Sequence, residues 1–276
     1  MTRMRMAGYA AAGLIAVTGA LACAQDAQEK PGFKDTPQLP GGKWLVHDAD
    51  RPAPTVATPA AAPGGAPSDA IVLAPGAWQA ETAPWQVTGG VMTVPARAQG
   101  GKESNLVSKQ SFGDVQLHLE FRSPNPPKGT SQDRGNSGVW FMQRYEVQVL
   151  DGYQNPTYAD GTVGAVYGWK PPLVNAARKP GEWQSYDIVF ERPRFAADGK
   201  LVRPAYVTAF LNGVLVQNHQ ALLGTTIYRK VASYQAHGDA APLQLQDHGS
   251  SVSFRNIWVR PLPEAAIAQD LPGDAK

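Results

Sequence analysis

The sequence predicts an all-β protein, an antiparallel sandwich or barrel formed by residues 70–262, and three observations carry that expectation. Apolar residues recur at every second position along most segments rather than at helical spacing. No segment shows a long amphipathic helical pattern. The 28 glycines and 24 prolines among 276 residues divide the chain into short runs joined by turns.

The runs themselves justify each strand. Residues 85–94 and 104–108 supply the first candidates. Val115, Leu117, Leu119 and Phe121 then alternate with Gln116, His118, Glu120 and Arg122. Val139 and Phe141, then Val147 and Val149, alternate with Glu146 and Gln148. Further strands are expected at 163–167, 184–191, 205–211 and 214–217, and Asn212-Gly213 between the last two is a strong two-residue hairpin signal. Leu243 and Leu245 alternate with Gln244, Gln246 and His248, and Val252-Phe254 and Ile257-Val259 close the domain.

Composition bounds what such a domain does. A hydrophobic content of 43% is enough for a sizeable core. The formal charge is +2, and Arg3 and Arg5 lie in the leader, so the remainder is near neutral and gives no electrostatic case for nucleic acid or acidic membranes. Residues 1–24 read as a signal peptide: a basic start, the apolar stretch Ala7–Ala22, too short for a transmembrane segment, and small residues at the cleavage point. The expected location is therefore exported and periplasmic. Cys23 follows Ala20-Leu21-Ala22 in a loose likeness to a lipobox, so lipid attachment at Cys23 stands beside simple cleavage after Ala24. Cys23 is the single cysteine, and without it the mature domain has neither disulfide nor thiolate chemistry. Residues 25–50 are a polar extension containing Trp44–Asp48. Residues 51–69 read as a Pro/Ala-rich, semi-extended linker, and 263–276 as a tail.

If the Val/Leu/Phe set packs between two sheets, Gln116, His118, Glu120, Arg122, Glu146, Gln148, Gln246 and His248 share the opposite face of one sheet. Amides, carboxylates and imidazoles gathered in this way suit a hydroxyl-rich ligand. The structural alternative is an ordinary solvated face.

The residues also resemble a known family. Gly135-Asn136-Ser137-Gly138-Val139-Trp140, followed by Tyr145-Glu146-Val147-Gln148-Val149-Leu150-Asp151, is similar to a signature of the 3-keto-disaccharide hydrolase domain family. So are Gly164-Ala165-Val166-Tyr167, Pro180-Gly181-Glu182-Trp183-Gln184-Ser185-Tyr186, Leu211-Asn212-Gly213, Leu245-Gln246-Asp247-His248-Gly249 and Phe254-Arg255-Asn256-Ile257, in the family's order. The inserts at 123–134 and 194–204 are longer than in compact members. The resemblance implies a concanavalin A-like antiparallel jelly-roll sandwich acting on glycosides already oxidised at C3.

A 3-keto group acidifies the proton on C2, so a base can remove it and the C1 substituent can leave by elimination, with water adding back afterwards. That route needs a base at C2, a donor at the C3 oxygen and an acid near the leaving oxygen. Glu146 is the first candidate for the base or for a metal ligand; its structural alternative is a buried carboxylate paired with Arg134 or Arg122. His248 could be base, acid or ligand, or a loop histidine. Arg134 and Asn136 are candidate donors to the keto oxygen, Tyr167 and Trp169 could stack on a sugar ring, and Gln148 and Gln246 could bind hydroxyls. Trp183 is expected in the core. Asp151 and Asp247 are expected to shape turns. His118 and Glu120, beside Glu146 and His248, form a candidate cluster for a divalent metal ion that would polarise the ketone.

Two other functions compete. A retaining glycosidase of sandwich type would want carboxylates at alternate positions of one strand, where Glu146 is followed by Gln148 and Leu150. A lectin-like domain would bind sugar without turnover. No nicotinamide fingerprint is present, so a separate sugar 3-dehydrogenase is expected as pathway partner, supplying the oxidised saccharide substrate.

Overall fold

A computed structural model describes residues 30–95 and 101–264. The expected signal peptide with Cys23, and nearly all of the tail, lie outside these residues. The described chain forms two compact units, one ending at Pro54 and the other beginning at Thr55. In the first, residues 30–54 form a small set of turns. There Leu39 and Val46 donate backbone bonds to Trp44 and Pro37, and the Asp48 carboxylate accepts from the backbone of Leu45 and Asp50.

The second unit is a β-sandwich. In chain order its strands are β1 (Ile71–Val72), β2 (Trp78–Ala80), β3 (Gln86–Thr88), β4 (Val91–Thr93), β5 (Leu106–Phe112), β6 (Val115–Arg122), β7 (Ser137–Phe141), β8 (Tyr145–Val149), β9 (Gln184–Glu191), β10 (Arg194–Phe195), β11 (Leu201–Arg203), β12 (Tyr206–Leu211), β13 (Val214–Ala221), β14 (Ala241–Leu245) and β15 (Ser253–Pro261). An eight-stranded sheet runs β13-β12-β9-β6-β15-β4-β3, with β1 also on β15; a five-stranded sheet runs β2-β5-β14-β7-β8; β10 and β11 form a separate hairpin. Every pairing between these strands is antiparallel. This is the antiparallel sandwich of concanavalin A-like type that the alternation and the resemblance predict.

The alternating aliphatic and aromatic residues do meet between the sheets. Leu117, Leu119, Phe121, Tyr186, Ile188 and Phe190 line the inner face of the larger sheet, and Val139, Phe141, Tyr145, Val147, Val149 and Leu245 line that of the smaller, all buried in one core. Phe141 of β7 stacks on Phe190 of β9 with ring centroids 4.6 Å apart. The Tyr186 hydroxyl crosses the core to donate to the Gln148 carbonyl at 2.6 Å, so the edge of the small sheet is tied to the middle of the large one. Burying each such side chain contributes about 1.5–3 kcal/mol before entropy is counted.

Three sequence expectations are refined. Asn212-Gly213 does form the β12–β13 turn, both residues having positive φ (54° and 80°) as a type I′ turn requires. Segments 252–254 and 257–259 merge, from residue 253 on, into one strand, β15, whose register against β6 shifts between Arg255 and Trp258, with Asn256 at φ 47°. Residues 163–167 are not a regular strand. They run beside β8 and satisfy its outer edge, Gln148 exchanging backbone bonds with Ala165 and Gly164, and Tyr167 donating to Glu146.

Residues 55–69 are laid against the outer face of the large sheet instead of spanning open solvent. The Gly64 carbonyl accepts from Trp258 Nε1 and Asn256 Nδ2, both at 2.9 Å. Arg260 donates to Asp69 at 2.5 Å. Gly64 has φ +74°, and a Cβ there would stand 3.1 Å from the His118 ring, so both the conformation and the close approach call for glycine. Proline and alanine cannot build a core, but a pre-extended segment with unspent carbonyls can cap side-chain donors at little entropic cost.

Candidate functional site

The outer face of the five-stranded sheet is built in two rungs. Side chains on β8, β7 and β14 alternate, so those not facing the core face outward. Glu146 is paired with Trp140, and Trp140 with Gln244. One step along, Gln148 is paired with Gly138, whose carbonyl accepts from the backbone of Gln246. Glu146, Gln148 and Gln246 therefore lie on a common face, with Trp140 and Gln244 between and beside them.

Glu146 is 4% exposed. No cation and no hydrogen-bond donor meets its carboxyl group among the described residues, and burial alone pushes its pKa up to about 8. Gly138 makes room for it: a Cβ at position 138 would collide with Glu146 Oε1 and would stand 2.8 Å from Trp140 Nε1. The carboxyl group and the indole N–H thus converge over the same glycine, and that N–H is itself buried without a partner.

Loops complete the surroundings. Gln148 donates to Gln132 Oε1 at 3.2 Å and to Asn136 Oδ1 at 3.3 Å, while its own Oε1 is buried and unpartnered. Asn136 is held by the Gln132 carbonyl at 2.8 Å, and Gln132 by Thr157 and the Gly161 carbonyl. Beside this amide group the hydroxyls of Tyr158 and Tyr167 are 2.8 Å apart. Both phenols have raised pKa values, first from burial and in part from the charge of Glu146, and the Tyr167 backbone N–H donates to the Glu146 carbonyl. Tyr158, Tyr167, Trp169 and Tyr228 line a cavity of about 560 Å³, with Asp160, Arg229 and Lys230 among its remaining walls.

The other sequence candidates fall in different places. Arg134 is not the partner of Glu146: its Nε donates to Asp151 at 2.7 Å and its second nitrogen to the Tyr153 carbonyl. Arg122 instead lies over the Trp183 ring, 4.6 Å from the centroid. The ion-paired alternative for Glu146 is thereby overturned. Asp151 also accepts from the Tyr153 backbone, so it shapes its turn. Asp247 is fully buried and accepts from the backbone of Ser104 and Gly249. Gln246 is half-buried on the site face, and His248 is exposed beyond it.

His118 and Glu120 require a correction. Both are on β6 of the eight-stranded sheet, and because Leu117 and Leu119 face the core, they face the opposite outer surface of the sandwich. There His118 pairs with Asp187 at 2.7 Å and stacks on Trp258, and Glu120 is held by Arg255 and Asn256. The single shared cup is therefore two faces, with Gln116 and Arg122 on the far one. The proposed four-residue metal cluster cannot assemble, since its members lie on opposite sides of the core. Nor do any three His, Cys, Asp or Glu side chains come together as an ion site among the described residues. Trp183 is not core either; it is sandwiched with Arg122 and Arg255 on that far surface.

Trp140 and Gln244 carry the same period-two signal as Glu146 and were open to the same reading. Gln132 sits in a 3-10 turn and Tyr158 and Tyr228 on loops, where no periodicity marks them.

No helix among the described residues is long and apolar enough to cross a membrane. No curated protein matches the chain. Among solved structures, one from Parabacteroides distasonis ATCC 8503, described as a candidate glycosyl hydrolase, is 43% identical, covers 82% of this chain and 100% of its own, and superposes with a TM-score of 0.71. A second from the same organism, described in the same words, is 20% identical over 68% of this chain and 90% of its own, with a TM-score of 0.49. The profile of the 3-keto-alpha-glucoside-1,2-lyase-like domain matches residues 70–260, which span the whole sandwich and both rungs, and the chain belongs to that family.

Proposed function

We propose that the protein cleaves the glycosidic bond of 3-keto-glycosides, 3-keto-disaccharides included, by proton abstraction at C2 and elimination at C1. The observation that supports this most is Glu146, a residue of β8 whose carboxyl group is buried without counter-charge and whose backbone carbonyl accepts from Tyr167, a wall of the neighbouring ligand-sized cavity. Such groups cluster where a protein moves protons, because a proton acceptor is most useful when its pKa lies near the working pH.

In the first step the ionised Glu146 takes the C2 proton, and the electron pair of the C2–H bond is delocalised onto the C3 oxygen as an enolate. The enolate then collapses: a C1–C2 double bond forms, the C1–O bond breaks, and the leaving oxygen takes a proton from the site. Addition of water, hydroxyl to C1 and proton to C2, gives net hydrolysis. The unpartnered Trp140 N–H and the second Nδ2–H of Asn136, whose first is given to the Gln132 carbonyl, are the donors available to the developing charge. The Tyr158–Tyr167 hydroxyl pair, kept protonated by burial, is the source for the leaving oxygen, with the exposed His248 as the alternative. A sugar 3-dehydrogenase must act first to make the ketone. The signal-peptide-like leader supports a periplasmic location for this chemistry, with the protein free after Ala24 or lipid-anchored through Cys23.

An ordinary retaining mechanism needs two carboxyl groups about 5 Å apart, and the two rungs hold one. The test is to incubate the purified protein with a 3-keto-disaccharide and with its unoxidised parent. Cleavage of the keto form alone is expected. Cleavage of the parent at a comparable rate would establish a conventional glycosidase, and saturable binding without turnover a lectin.

A further inference from the structure

Resting on that reading, the surroundings of Glu146 divide into two chemically different halves, one of amides around Gln148 and one of aromatic rings reached through Tyr167, whose backbone N–H donates to the Glu146 carbonyl. One half reads hydroxyls. Gln148, Asn136 and Gln246 offer amides there, and the buried Gln148 Oε1 and Trp140 Nε1 have no protein partner, so a ligand's polar groups would complete them.

The other half reads rings. Its cavity walls include Tyr158, Tyr167, Trp169, Tyr228 and Leu223, and the polar handles of three of these are already used. The Tyr158 and Tyr167 hydroxyls bond each other at 2.8 Å, and Trp169 Nε1 donates to the Ala221 carbonyl at 3.1 Å. What remains for a ligand, beside the unspent O–H of the Tyr158–Tyr167 pair and the side chains of Asp160, Arg229 and Lys230, is mostly ring face and aliphatic surface. Trp169 and Tyr228 are 40% and 66% exposed, and large aromatic surface kept in water within a concavity marks an apolar ligand group.

A glycoside whose scissile bond lies at Glu146 sets its keto-sugar on the amides and its leaving group against the rings. We propose that the preferred substrates are 3-keto-glycosides of aromatic alcohols or phenols, with the aromatic aglycone seated in the cavity between Trp169 and Tyr228.

The test compares the 3-keto glucosides of 2-phenylethanol and of ethanol in the same anomeric form, whose leaving groups have similar acidity. The expected result is kcat/KM about ten-fold higher for the phenylethyl substrate, the scale of one ring buried against aromatic walls. Tyr228→Ala should bring that ratio toward one; the residue is exposed, so the variant should fold, and Tyr228→Phe should restore the ratio. Turnover of both substrates with a ratio near one in the parent protein overturns the aromatic-aglycone inference and leaves the keto-glycoside reading standing. A ratio that Tyr228→Ala does not change also overturns it. No turnover of either substrate sinks both.

Discussion

Most buried carboxylates of the sandwich keep their charge in company. Asp114 meets Arg194, Asp151 meets Arg134, and Glu191 meets Arg203, while Asp247 accepts from two backbone amides. Glu146 has no such partner among the described residues, and the consequence can be signed. Its pKa is raised from its ordinary 4.5 to about 8 in the folded protein, so between those values the folded state holds a proton that the unfolded state has lost. Stability therefore falls as pH rises through that window, by an amount on the order of a few kcal/mol. Glu146→Gln should match the parent in thermal unfolding near pH 4 and exceed it at pH 9. The parent's kcat/KM should rise with pH through about 8 as the base ionises, and equal unfolding temperatures at pH 9 would contradict the burial argument. Gly138→Ala tests the same pocket from its floor, since the added methyl must displace the Glu146 carboxyl group. Activity should fall at least about ten-fold while the sheet, measured by circular dichroism, persists.

At the scale of elements, the site is positioned by strand ends pinned to one another. Asp247 follows β14 and accepts from Ser104 just before β5, while its own backbone N–H donates to Asn105. These bonds hold the segment that carries Gln246 and His248. Asp247→Ala leaves buried backbone donors unsatisfied and should cost about 1–3 kcal/mol in denaturant unfolding, where no change would show the clamp to be idle. Elements were also where the sequence was most readable. The alternation located β6, β7, β8, β9, β12, β14 and β15 because their inner faces are buried. Residues 163–167 misled because a segment bonded only along one edge of β8 can be as apolar as a strand. The Pro/Ala-rich residues 55–69 gave no sign of docking, since their contribution comes from a carbonyl, that of Gly64, and every residue carries one.

At the scale of the whole molecule, period-two alternation states whether a residue faces in or out, but not which of two sheets it belongs to. Glu120 on β6 and Glu146 on β8 have identical local patterns and stand on opposite surfaces of the sandwich. The family resemblance recovered the fold and the family, and the coordinates were needed to separate the two polar faces. The far face has its own polar cavity of about 490 Å³ whose walls include His118, Glu120, Asp187, Arg178 and Arg255, but His118 is paired there with Asp187 and Glu120 with Arg255. The account thus turns on one face carrying the chemistry. The direct measurement is kcat/KM on a 3-keto-disaccharide for Glu146→Gln and Glu120→Gln side by side. Loss of about 10²-fold or more in the first, with the second within about two-fold of the parent as befits a surface ion pair, is the predicted result; a severe loss in Glu120→Gln with Glu146→Gln unimpaired would contradict it.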